Sequence, residues 1–231
     1  MCSKIAAIHD IGIYMKALLS LLVLSFSLCT SMLSNGAYAN NILIVGDSLS
    51  AGYGIQVSQS WPALLQTTLT ENNSGYNVHN ASISGQTTAE GLRQMDALIK
   101  LTQPKLVILE LGANDGLRGL SISQMQANLQ SMISKSLIAK SQVLLLGIKL
   151  PNNYGRRYGK MFSASFESLS QKNGIHLVPF MLEPLEKLIN TENKKQYIQA
   201  DGLHPTADAQ PLLLAHILPS IQRALDMARS K

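Results

Sequence analysis

Cysteine is scarce and badly placed for structural use: the 231-residue chain has two, Cys2 and Cys29. Both precede residue 40, so the rest of the chain has no thiol to cross-link and needs no disulfide even in an oxidising compartment. Basic runs are lacking as well. The net charge of +5 falls to about +4 once Lys4, Asp10 and Lys16 are set aside, and no Lys/Arg run exceeds the pairs Arg156-Arg157 and Lys194-Lys195. That pattern excludes a nucleic-acid footprint and leaves a mild attraction to anionic lipid surfaces. The apolar stretch Ala17–Leu28 is shorter than the roughly 20 residues that span a bilayer. After residue 39 there is no internal repeat, low-complexity tract or linker. No His, Cys, Asp or Glu cluster has metal-ligand spacing there, so neither a metal nor another cofactor is expected.

What the N-terminal segment does contain reads as an export signal. Lys4 and Lys16 precede the apolar stretch, and Ala37-Tyr38-Ala39 offers the small-x-small pattern cut by signal peptidase. The expectation is a removed segment over residues 1–39 and a mature domain over residues 40–231. Leu28 ahead of Cys29 disfavours lipidation, and Met15-Lys16 would serve as a start as well as Met1. The mature length suits one domain with a full core.

Within it, short apolar runs alternate with longer amphipathic stretches, the pattern of βα units on a parallel sheet. Brevity and β-branched content mark Ile42–Val45, Tyr76–His79, Leu106–Leu109, Val143–Leu146 and His176–Val178 as strands, buried on both faces. Helices are expected over 61–70, 88–100, 123–140 and 157–173. The third of these has a Ser121/Gln124 capping box and a stripe of Leu129, Met132, Ile133 and Leu137. A last helix runs from Thr206 or Ala207 to near Met227, interrupted or kinked at Pro211 and Pro219. The fold class is α/β: one three-layer α/β/α sandwich on a mostly parallel sheet of about five strands.

Four short blocks follow these strands in order: Gly46-Asp47-Ser48-Leu49-Ser50, Ser84-Gly85-Gln86-Thr87, Gly112-Ala113-Asn114-Asp115 and Asp201-Gly202-Leu203-His204-Pro205. In open parallel sheets the carboxyl edge is where chemistry collects. A serine hydroxyl attacks an ester only when a base takes its proton, and His204 is the candidate, because imidazole titrates near neutrality. Asp201, three residues earlier, is spaced to hold Nδ1 and leave Nε2 for Ser48; a plain turn capped by His204 is the alternative. The oxyanion of acyl transfer needs donors, and the Ser48 and Gly85 backbone N–H groups and the Asn114 amide are on offer.

These blocks, GDSLS, SG, GxND and DGxHP, resemble those of the GDSL or SGNH hydrolase superfamily. Stretches such as Trp61-Pro62-Ala63-Leu64-Leu65, Asn114-Asp115-Gly116-Leu117-Arg118-Gly119 and Leu150-Pro151-Asn152-Asn153-Tyr154-Gly155-Arg156-Arg157-Tyr158 resemble its bacterial periplasmic branch of acyl-CoA thioesterases, lysophospholipases and arylesterases. The resemblance implies a flavodoxin-like strand order, with Ser48, Asp201 and His204 as triad and Gly85 and Asn114 completing the oxyanion hole. The implied partners are small acyl esters and thioesters, with transient contact at lipid surfaces and a monomeric state. Gln86 departs from an acidic residue in some members, at a position expected on the pocket rim and away from the catalytic groups.

Other residues read more plainly. His79, His176 and His216 lie beside apolar runs and are structural. Asp47 braces the nucleophile turn, and Asp115 holds its loop. Arg156 and Arg157 pair with surface carboxylates or meet a phosphate headgroup. Gly116–Leu120 reads as a glycine-hinged lip whose Leu117 and Leu120 contact the acyl chain. Two alternatives to the ester and thioester hydrolase are a carbohydrate O-deacetylase of the same superfamily and a binding protein that has lost catalysis. The complete Ser48, Asp201 and His204 set opposes the second. The common α/β-hydrolase fold does not fit, because Ser48 is followed by Leu49-Ser50 and comes after the first strand.

Overall fold

A computed structural model describes residues 40–186, 188 and 194–229; the expected export signal and both cysteines lie outside the described residues. Five strands form one parallel sheet: β1 (Asn40–Gly46), β2 (Tyr76–Asn80), β3 (Leu106–Glu110), β4 (Gln142–Leu146) and β5 (His176–Val178), in the order β2-β1-β3-β4-β5. The apolar residues of β1, β3 and β4 are wholly buried, as parallel strands covered on both faces require. The edge strands differ from expectation. In β2 only Tyr76 is buried, and in β5 only Val178, because an edge strand has a neighbour on one side alone.

Helices cover both faces. On one, α2 (Trp61–Glu71) packs beside the last helix, α9 (Gln210–Arg229); on the other, α3 (Thr88–Thr102), α5 (Ile122–Ile138) and α6 (Arg156–Asn173) lie side by side. Short helices α1 (Ser48–Ala51), α4 (Ala113–Leu117), α7 (Glu183–Glu186) and α8 (Lys194–Tyr197) fill the loops. Ser121 caps α5 by accepting from the Gln124 N–H, but the reciprocal half is missing: the Gln124 side chain donates to Asn128. The full capping box is at α3, where the Thr87 hydroxyl accepts from the Glu90 N–H and Glu90 accepts from the Thr87 N–H.

Two further details correct the reading from periodicity. Leu129, Met132 and Ile133 of α5 are buried, yet Leu137 is 40% exposed, and Ser136 takes the inward position in the last turn. The α9 helix starts at Gln210, after a single 3₁₀ turn over Ala207–Ala209, and runs unbroken through Pro219 to Arg229. Pro211 sits in the first turn, where no N–H donor is needed. Pro219 gives up one bond inside the helix, and the burial of Leu213, Ile217 and Ile221 offsets that loss.

Candidate active site

The strand ends bring the four blocks to one edge of the sheet. Where β1 ends at Gly46, Asp47 caps α1 by accepting from the Leu49 N–H at 3.1 Å, which presents Ser48 at the helix start. Ser48 Oγ lies 2.8 Å from His204 Nε2, across 156 residues of chain. His204 Nδ1 lies 2.6 Å from Asp201 Oδ2, while Asp201 Oδ1 accepts from the Leu203 and His204 N–H groups at 2.9 and 3.0 Å. Partial burial would raise the Asp201 carboxyl, but those two amides and the imidazole outweigh it and hold it down at about 2. The carboxylate is therefore ionised at any physiological pH and fixes the imidazole tautomer that leaves Nε2 facing serine.

Around Ser48, the second and third blocks supply donors. Gly85, at φ +81, holds a conformation that a side chain would strain. Among the described residues, neither the Ser48 nor the Gly85 N–H hydrogen-bonds to another group of the chain. Asn114 is held more tightly than a free donor would be: its Nδ2 donates to Asp47 Oδ2 at 3.0 Å and to the Gln86 carbonyl at 3.1 Å. Gln86 itself is buried and is not part of the pocket rim. Its main chain touches the amide expected to bind the oxyanion, which corrects the expectation that it stays away from the catalytic groups. Asp115 accepts from the Thr88 N–H and hydroxyl at 2.8 and 2.6 Å, tying its loop to the start of α3.

One residue under the site escaped the sequence reading. Glu110, at the end of β3, pairs in register with Gly46 of β1. It is fully buried, and its Oε2 accepts from Ser50 Oγ at 2.7 Å and from the Asp47 N–H at 3.3 Å, while Oε1 is buried with no partner among the described residues. Burial, and then the neighbouring Asp47 charge, raise the Glu110 carboxyl well above its ordinary range. Burial likewise raises Asp47 to about 6, against the Leu49 amide, the His204 charge and the Asn114 amide. Both effects favour the neutral form of the Glu110 carboxyl beneath the turn that carries Ser48, while the Ser50 hydroxyl and the Asp47 N–H work against them.

Ser48 and His204 face a cleft of about 650 Å³. Its walls are mostly apolar: Leu117, Ile148, Leu150, Phe180, Leu182, Leu185 and Ile198 line it, with Tyr53 and Leu203 at the mouth beside His204 and Lys149, Glu186 and Lys194 as charged members. Leu117 is where the sequence put it, but Leu120 is not among the lining residues and is 44% exposed. The expected hinged lip is instead the helix α4 followed by a tight turn. The Leu120 N–H donates to the Asp115 carbonyl, and the Tyr154 and Tyr158 hydroxyls donate to the Leu117 and Leu120 carbonyls. A Cβ on Gly116 would meet Leu150 and Phe162 at 2.6 and 2.7 Å, so this glycine serves close packing and not hinging.

The other histidines among the described residues are not among those that line the cleft. His216 Nε2 lies 3.1 Å from the Phe180 carbonyl, His176 Nε2 lies 3.1 Å from the Met227 sulfur, and His79 is exposed on β2. Arg156 and Arg157 are exposed, and among the described residues neither has a carboxylate within 4 Å. No helix among the described residues is long and apolar enough to cross a membrane.

The chain is similar to known proteins of one family. Residues 44–211 match the GDSL-like lipase/acylhydrolase family. The chain is 44% identical over 204 residues to esterase TesA of Pseudomonas aeruginosa, covering 88% of this chain and 98% of that protein. It is 42% identical over 186 residues to the thioesterase 1/protease 1/lysophospholipase L1 of Escherichia coli K12, covering 80% and 85%. Among solved structures, the psychrotrophic esterase EstA from Pseudoalteromonas sp., inhibited by monoethylphosphonate, superposes with a TM-score of 0.74 at 41% identity, over 81% of this chain and 99% of that one.

Proposed function

From the premise that the chain belongs to the GDSL-like lipase/acylhydrolase family, we propose that Ser48 is the nucleophile, His204 the general base and acid, and Asp201 the group that orients it. The chain is an esterase-type hydrolase. The observation that carries the residue assignment is the unbroken hydrogen-bonded line Asp201–His204–Ser48, at 2.6 and 2.8 Å, opening into an apolar cleft.

Ser48 Oγ attacks the acyl carbonyl carbon as its proton passes to His204 Nε2, and the carbonyl oxygen becomes an oxyanion. The Ser48 and Gly85 N–H groups receive it, with the Asn114 amide turning one hydrogen from its present acceptor toward it. Collapse breaks the bond to the alcohol or thiol, which leaves with the proton from Nε2. Water then attacks the acyl-enzyme with His204 again as base, releasing the carboxylic acid and restoring Ser48.

An acetyl group would leave most of this apolar wall unfilled, which favours fatty-acyl esters and thioesters over sugar acetates. Tyr53 and Leu203, both lining the cleft, are 51% and 43% exposed, a rim suited to transient contact with lipid surfaces by a monomer. Export to the periplasm rests on Lys4, Lys16, the apolar stretch after them and Ala37-Tyr38-Ala39. Sequencing of exported material should find Asn40 first; an intact Met1 or Met15 would remove that reading.

Ser48→Ala should abolish hydrolysis of nitrophenyl esters and acyl thioesters with the melting temperature essentially unchanged. A phosphonate ester should transfer its phosphonyl group to Ser48 of the wild type, with loss of its leaving alcohol, and not to the variant, read by intact mass. Turnover by Ser48→Ala near the wild-type rate would sink the assignment.

A further inference from the structure

Gln199 lies between the nucleophile turn and the base loop and takes no part in the proton transfers above. It opens and closes the loop that carries Asp201 and His204: its N–H donates to the His204 carbonyl at 2.8 Å, and its carbonyl accepts from the Gly202 N–H at 3.0 Å. Its side chain then reaches outside the loop. Nε2 donates to the Tyr53 carbonyl at 2.7 Å and to the Pro205 carbonyl at 2.9 Å. Both amide hydrogens are therefore used, one on the segment that follows Ser48 and one on the residue that follows His204.

Two contacts tighten the same junction. The Tyr53 ring lies against the His204 imidazole, centroids 4.5 Å apart. Gly54, at φ +74, brings bare backbone against the Gln199 amide, where a Cβ would collide with Oε1. Burial does little to hold the base loop, because Asp201, Gly202 and Leu203 are all exposed. What fixes it is polar: the Ile198–Pro205 bridge at its neck and the Gln199 amide.

We propose that Gln199 is a positioning residue for His204: its side-chain amide ties the loop holding the base to the turn holding the nucleophile and sets the approach of Nε2 to Ser48 Oγ. This rests on the triad reading above. A misplacement of about 1 Å at such a contact costs on the order of 10²-fold in rate, and Gln199 is not itself among the residues that line the cleft, so the effect belongs in kcat.

Gln199→Glu is isosteric but offers oxygens to two carbonyls, and Gln199→Met has similar reach with no hydrogen bond. Both should lower kcat for a nitrophenyl ester by roughly 10- to 100-fold, with KM within about twofold, the melting temperature within a few degrees, and phosphonylation of Ser48 slowed in step. Activity within about twofold of wild type, or a kcat loss that merely follows a fall in melting temperature, overturns the proposal. Should either variant fail to fold, Gln199→Asn, which keeps the donor but is one methylene too short for Tyr53, decides by the same readouts. Ser48→Ala runs alongside: if it is active, the triad reading itself fails, whereas an inactive Ser48→Ala with wild-type Gln199 variants fails this proposal alone.

Discussion

At the scale of single residues, the chemistry is distributed between groups whose roles are set by what else they touch. Asn114 shows this. Its two amide hydrogens already serve Asp47 and Gln86, so it gains an oxyanion only by giving up a neutral or partly charged acceptor, and that exchange favours the transition state over the ground state. Asn114→Ala should therefore lower kcat by roughly 10²–10³ with little change in KM; steady-state kinetics showing an effect on KM alone would make it a ground-state binder. The proposed triad of Ser48, Asp201 and His204 was legible because nucleophile, base and orienting acid are chemically unusual residues in short, ordered blocks. Gln199 and Glu110 were not. A glutamine in a loop and an acid ending an apolar strand carry no local signal, and their partners are 146 and 60 residues away.

Among the elements, periodicity located the strands and long helices to within a few residues, because burial on a parallel sheet demands apolar runs. It failed where packing overrides pattern. Two glycines and two leucines over 116–120 suggested a hinge, yet the segment is a helical turn wedged against Leu150 and Phe162 and pinned by two tyrosine hydroxyls. The cleft wall built after β4 and β5 could not be read either, since Ile148, Phe180 and Leu182 look like any core residues. The two leucines now separate by position. Leu117→Ala should cut kcat/KM for long acyl chains well beyond its effect on acetyl or butyryl esters, by up to about 0.8 kcal/mol for each methylene that loses contact. Leu120→Ala should leave the chain-length profile unchanged. A nitrophenyl ester series that finds the two variants alike would remove Leu117 from the acyl surface.

For the molecule as a whole, the buried acid below the nucleophile turn links stability to pH. A carboxyl whose folded pKa is raised contributes its full stability below the unfolded value, 4.5 for glutamate, and loses it as pH rises through the folded value. Glu110→Gln cannot ionise in either state, so its stability relative to wild type should grow as pH rises from about 4.5 toward neutrality. Urea unfolding midpoints of the two proteins at several pH values measure this, and curves that stay parallel would mean that Glu110 is ionised in the folded chain. A different consequence follows from the bond between Ser48 and His204 over 156 residues. The proposed nucleophile belongs to the first βα unit and the proposed base to the last loop, with four of the five strands, β2 to β5, between them in the chain. Contacts of such long sequence separation are among the slowest to form, so a chain emerging in order from a ribosome or a translocation pore has no working site until its C-terminal helix has docked. Catalysis thereby becomes the last property that folding confers.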